Sequence, residues 1–148
     1  MIVVSSCLAG LRVRYNGTDC LNDNVEKLLK MKEVKTVCPE LMGGFSTPRE
    51  PAEIIGGNGY DVIDGNAIVK DASGNDVTQM YIDGAYKTLE FVKSVKAEIV
   101  VLKENSPSCG SSHIYTGFFD GTKKEGVGVT TAILRRNGIK VVSEEELL

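Results

Sequence analysis

A chain of 148 residues, 42% hydrophobic and 25% charged, fits one ordinary soluble domain that can bury a core without disulfide staples. Its 17 Lys and Arg against 20 Asp and Glu give a net charge of −3. These charges are dispersed and leave no basic stripe for duplex DNA or RNA, and no apolar run approaches the ~20 residues that span a bilayer. Both point to a small, weakly polar partner.

Ile2–Ser5 reads as a first strand that ends abruptly in the loop Ser6-Cys7-Leu8-Ala9-Gly10. The segment has neither the basic leader nor the long apolar stretch of a secretion signal, so a cytoplasmic protein with reduced thiols is expected. Asn24–Lys30 carries Val25, Leu28 and Leu29 at helical spacing behind the possible caps Asn22 and Asp23. The β-branched run Thr36-Val37-Cys38 then stops at Pro39, a second strand ending at a second cysteine.

Between Pro39 and Asp76, glycines and prolines exclude a long helix. Asp61–Val69 has the alternation of a small hairpin turning near Gly65, an excursion from the main sheet. Asp76–Lys96 predicts the longest helix, with Asp76 as its cap. Glu98–Lys103 is the most strand-like run, and the loop behind it holds the third cysteine, Cys109. A polar, glycine-rich stretch follows. Gly126–Asn137 predicts a helix closed by Gly138, Ile139–Val142 a fourth strand, and Ser143–Glu146 an acidic turn.

The order β–α–β–excursion–α–β–α–β–α predicts an α/β fold, a Rossmann-like three-layer sandwich on a mostly parallel sheet of about four strands, spanning residues 1–148 as one domain. Ligands of such sheets collect beyond the carboxyl ends of the strands. Three strands here run into Cys7, Cys38 and Cys109, each followed by Gly or Pro within three residues. The alternative for each cysteine is inert core packing. Cys20, in a polar loop, reads as a bystander thiol or as a fourth ligand.

Three convergent thiolates suit zinc, a redox pair or an iron–sulfur cluster. The single histidine, His113, leaves a mixed Cys/His zinc site little to draw on, and no Cys-x-x-Cys is present for a dithiol. Three ligands to a four-iron cluster leave one iron open as a Lewis acid. A non-catalytic iron–sulfur, zinc-binding or thiol-redox protein stands as the alternative to an enzyme.

Several motifs add to this reading. They are Val4-Ser5-Ser6-Cys7-Leu8-Ala9-Gly10, Arg14-Tyr15-Asn16-Gly17, Cys38-Pro39-Glu40, Gly43-Gly44-Phe45-Ser46-Thr47-Pro48-Arg49 and Pro51-Ala52-Glu53-Ile54. Asp76-Val77-Thr78, Gly84-Ala85 and Leu102-Lys103-Glu104-Asn105-Ser106-Pro107-Ser108-Cys109-Gly110 complete the set. Jointly, from Val3 to Glu144, they resemble the 2-thiouracil desulfidase (TudS) family, from which the chain departs at Asn16 and by the extra thiol of Cys20.

The resemblance implies a [4Fe-4S] cluster on Cys7, Cys38 and Cys109 whose open iron takes the sulfur of a thiolated pyrimidine such as 2-thiouracil. It further implies that Glu40 and one of Ser106 and Ser108 assist a hydrolytic, non-redox release of sulfide. The physical chemistry agrees. A thiocarbonyl sulfur is soft, and Glu40 stands two residues from a ligand, where it can take a proton from water. Arg14 and Arg49 are candidates for a ring carbonyl, Glu53 for pairing with one of them, Tyr15 for stacking and His113 for a hydrogen bond near the cofactor. No oligomeric state follows from the sequence.

Overall fold

The computed structural model describes residues 1–12, 14–18, 21–31 and 33–146. Cys20 lies outside the described residues. Strands β1 (Ile2–Ser5), β2 (Val34–Val37), β5 (Ile99–Leu102) and β8 (Lys140–Ser143) form one parallel sheet in the order β2-β1-β5-β8. The register runs Ile2 to Val34, Ile2 to Ile99 and Ile99 to Lys140. The chain steps from β1 outward to β2, then crosses to the opposite side of β1 for β5. The strand order therefore reverses around β1, and the crevice that such a reversal opens lies at the carboxyl ends of β1, β2 and β5.

Alternation along the strands sorts the core into two layers. Val3, Val100, Leu102 and Val141 face one side, packed with residues of α4 (Thr78–Ser94) and α5 (Val129–Arg136). Val4 and Val101 face the other, with Val25 of α1 (Asp23–Met31), Leu8 and the partly buried Leu28 and Leu29. Helices on both faces make the predicted three-layer sandwich. Each fully buried Leu, Ile or Val here stabilises the fold by ~1.5–3 kcal/mol relative to exposure. Asn22 caps α1, its Oδ1 accepting from the Asn24 and Val25 amides at 3.0 and 3.1 Å. Among the described residues, no helix is long and apolar enough to cross a membrane.

The excursion contains a small antiparallel pair, but its strands are β3 (Ala52–Ile55) and β4 (Ile68–Asp71), with Glu53 opposite Lys70. The hairpin expected over Asp61–Val69 is therefore displaced, and its first half is the short helix α3 (Gly59–Ile63). The cause is a capping box. Asn58 Oδ1 accepts from the Tyr60 amide at 2.9 Å, and Asp61 reaches back to the Asn58 amide at 2.9 Å. A second hairpin, β6 (His113–Tyr115) with β7 (Lys123–Glu125), occupies the polar stretch that carried no strand expectation. The remaining helix, α2 (Pro39–Met42), is a single turn directly after β2.

Candidate active site

Each cysteine is held by a different piece of the sheet edge. Cys7 lies in a 3-10 turn, Ser6–Ala9, that continues β1 and closes at Gly10, and its Sγ is 3.4 Å from Ser5 Oγ. Cys38 is the extended N-cap of α2, where Pro39 costs no hydrogen bond at the first helical position. The seat of α2 against α4 is made by glycines. A Cβ on Gly84 would fall 2.2 Å from the Pro39 carbonyl oxygen, and one on Gly43 would fall 2.2 Å from that of Met80. Only bare backbone on both sides lets the Cys38-Pro39-Glu40 turn sit this deep.

The Cys109 loop is anchored at both ends. Behind it, α5 donates its first amides into the loop, Val129 to the Pro107 carbonyl at 2.8 Å and Thr130 to that of Ser108 at 2.9 Å. At its start, Glu104 is 2% exposed and accepts from the amides of Ser111, Ser112 and His113 at 2.8, 3.0 and 3.1 Å. The hydroxyls of Ser111 and Ser112 add bonds at 2.9 and 3.0 Å. Burial pushes this carboxyl up, but the bonds from Ser112, His113 and Ser111 outweigh it and hold it at about 2. The Glu104 amide in turn donates to Glu144 Oε1 at 2.8 Å, tying the loop to the turn that follows β8.

Glu40 stands at the centre of a polar network. Its Oε2 accepts from Arg49 Nε at 2.7 Å, an ion pair whose side chains are only 14% and 8% exposed. Arg49 is fixed further by the Ser46 carbonyl and Thr47 Oγ, both at 3.3 Å. Ser106 Oγ donates to Glu40 Oε1 at 3.5 Å. Tyr81, on α4 and packed edge-on against Phe45, lines the same cavity and feels the charge of Glu40. Its hydroxyl stays protonated because burial, and then the Glu40 charge, push its ionisation well above the usual range.

One cavity of about 360 Å³ is lined by Cys7, Cys38, Cys109, Glu40, Arg49, Tyr81 and Ser106. Arg14, Tyr15, Glu53, Lys103, Glu104, Tyr115 and Phe119 complete much of its wall. Its size suits a small molecule, and its mixture of aromatic and convergent polar groups suits a flat, hydrogen-bonding ring. Burial drives the Cys109 thiol well above its ordinary range, helped by the charges of Glu40, Cys38 and Cys7. Burial also raises that of Cys38.

Three sulfurs that repel one another's ionisation need a positive group among them to become thiolates together. Among the described residues, no three His, Cys, Asp or Glu side chains are grouped to hold a single metal ion. Three soft sulfur donors on one cavity are a set that an iron–sulfur cluster accepts.

The structure gathers nine of the expected residues in this cavity, namely Cys7, Cys38, Cys109, Glu40, Ser106, Arg14, Arg49, Glu53 and Tyr15. Ser108 does not line it. Its side chain is 1% exposed and its hydroxyl is 2.8 Å from Thr130 Oγ. Among the described residues Glu53 forms no ion pair with an arginine; its Oε1 accepts from the Gly117 and Phe119 amides. His113 is exposed on β6 and contributes its backbone amide to Glu104. Tyr81 and the Glu104 cage carried no functional reading in the sequence. A phenol on the apolar stripe of α4 was the available signal for the first, since a buried hydroxyl needs a partner.

A parallel α/β sheet with three cysteines gathered on one cavity at its strand-order reversal defines an α/β enzyme with a small-molecule site. The chain belongs to the 2-thiouracil desulfurase family, whose model matches residues 2–146. It is 56% identical over 147 residues to YbbK of Bacillus subtilis (strain 168), itself described as uncharacterized, covering 99% of this chain and 97% of that protein. Among solved structures it is similar to the [4Fe-4S]-dependent thiouracil desulfidase TudS, with a TM-score of 0.85 and 40% identity over 99% of this chain and 91% of that one.

Proposed function

We propose that this chain, taken as one domain over residues 1–148, is a [4Fe-4S]-dependent desulfidase that converts a thiolated pyrimidine such as 2-thiouracil and water into uracil and sulfide. The observation that carries the reading is the convergence of Cys7, Cys38 and Cys109 on one cavity that also holds the Glu40 network. In this proposal those three cysteines hold the cluster, and the cluster supplies one open iron, a soft Lewis acid for the thiocarbonyl sulfur.

The remaining work falls to side chains. Glu40 takes a proton from the water that attacks the C–S carbon. Arg49 fixes one of its oxygens at 2.7 Å and leaves the other toward the cavity side, near Ser106. Ser106 Oγ already accepts from the Ser108 and Cys109 amides at 3.0 and 3.1 Å, so its lone pairs are occupied and its hydroxyl acts as a donor. That hydrogen, directed at Glu40 Oε1 in the structure, turns to the carbonyl oxygen of the ring, because both ring nitrogens of the thione carry N–H. Ser108, turned toward Thr130, is assigned to holding the loop. No electrons are exchanged, because C=S becomes C=O at constant oxidation level. An open iron favours a reducing compartment, which supports a cytoplasmic setting.

The test is an anaerobic iron and sulfide assay of wild type and Cys109→Ser, with 2-thiouracil turnover followed in the same samples. About four irons per chain and sulfide release, both lost in the variant, are expected. Reconstituted wild type that holds no iron would overturn the cofactor assignment. Iron without sulfide release would retain the cofactor and overturn the substrate.

A further inference from the structure

Glu53 is a buried carboxylate in the cavity wall that the reaction above does not use. It projects from β3, is 8% exposed, and lines the same cavity as the three cysteines. Its Oε1 accepts from the amides of Gly117 and Phe119 at 2.9 and 3.3 Å. Among the described residues its Oε2 has no hydrogen-bond partner.

The fixed oxygen is set by a close backbone approach. Gly117 has φ +101, and a Cβ there would lie 2.8 Å from the Ile54 carbonyl oxygen. Only glycine brings the end of the β6–β7 hairpin this near to β3. The carboxylate is thereby anchored through one oxygen, and the other is left as an acceptor on the cavity wall. That oxygen is reachable from the cavity rather than sealed, so a ligand that fills the cavity and displaces its water must supply a donor there. Pyrimidine-2-thiones present two ring N–H donors beside the C–S carbon.

We propose that Glu53 is the specificity residue for the substrate ring: its Oε2 accepts a hydrogen bond from a ring N–H of the thiolated pyrimidine. The inference rests on the desulfidase reading and deepens it. A carboxylate accepts only, so it favours lactam-type rings that carry N–H at the facing position and disfavours rings that present a bare nitrogen there. A charged acceptor matched to a buried donor discriminates strongly, because the mismatched ligand leaves it unpaired.

The conservative variant is Glu53→Gln. Its amide oxygen can still accept from Gly117 and Phe119, while its NH2 is turned against the ring donor. Reconstituted Glu53→Gln should show kcat/KM for 2-thiouracil reduced by about 10- to 100-fold, mainly through KM, at unchanged iron content. Uracil binding, measured by calorimetry, should weaken in parallel, a readout that needs no turnover. The decisive comparison uses the 1-methyl and 3-methyl derivatives of 2-thiouracil. In wild type, one of the two should lose most of this advantage. In Glu53→Gln, that same methyl group should carry a clearly smaller penalty.

Equal methyl penalties in the two proteins for both isomers would overturn the proposal even where the variant is less active. Wild type that releases no sulfide from 2-thiouracil would instead overturn the desulfidase reading. Wild type that turns over normally, beside a variant indistinguishable from it, would overturn the role of Glu53 alone.

Discussion

Ser106 and Ser108 stand two residues apart in one loop and have opposite surroundings. The first lines the cavity, with its oxygen bonded to two amides; the second is sealed against Thr130. Ser106→Ala is expected to lower kcat by about 10²-fold or more through loss of a positioned donor. Ser108→Ala is expected to keep kcat within a few-fold and to lose about 1 kcal/mol of stability through its buried hydroxyl pair. Rates and urea midpoints on samples of equal iron content check this. A Ser108→Ala rate as low as that of Ser106→Ala would reverse the assignment. The Arg49–Glu40–Ser106 arrangement carries the same lesson for a single side chain: two neighbours fix where a carboxylate points before any substrate arrives.

The loop after β5 is an element organised by one buried anion. Glu104 is held at about 2, below the ordinary 4.5, because the bonds it accepts exist only in the folded chain. A carboxylate depressed in the folded state contributes stability that is complete above its unfolded value and fades as pH falls toward its folded one. Wild type should therefore lose stability progressively between about pH 5 and pH 2. Glu104→Gln should start lower at neutral pH and fall less over that interval. Urea midpoints across the range test it, and parallel curves for the two proteins would show that Glu104 does not govern the acid limb.

At this scale the sequence was legible wherever the pattern was local. Central parallel strands are continuous apolar runs, so Ile2–Ser5 and Ile99–Leu102 stood out, and both run on toward cysteines. Elements defined by distant partners did not. Ala52–Ile55 is four residues with a glutamate inside, and it becomes a strand only by meeting Ile68–Asp71. Likewise the polar run His113–Tyr115 needs Lys123–Glu125. The site divides in the same way. The cysteines were readable from topology, whereas Tyr81, the Glu104 cage and the actual partners of Glu53 depend on contacts between remote segments.

For the molecule as a whole, the three cysteines belong to segments that follow β1, β2 and β5, the three adjacent strands at the reversal of the sheet. A group bound to all three ties these segments together in the folded state and has no comparable site in the unfolded chain. Anaerobically reconstituted protein should therefore melt about 5–10 °C above chelator-stripped protein. Cys38→Ser should show little of that difference. Calorimetry under argon decides, and an unchanged melting temperature in wild type would separate the three cysteines as co-ligands.

The bond from the Glu104 amide to Glu144 and the bond from Ser111 Oγ to Glu146 set an order of events during synthesis. All three cysteines leave the ribosome before the turn that braces the third of them. A nascent chain that has already exposed Cys109 still lacks the carboxylates that lock its loop and the β8 strand that flanks β5. Maturation with iron and sulfide thus belongs after translation has passed Glu146, and an assembly factor would meet a finished sheet rather than an emerging peptide.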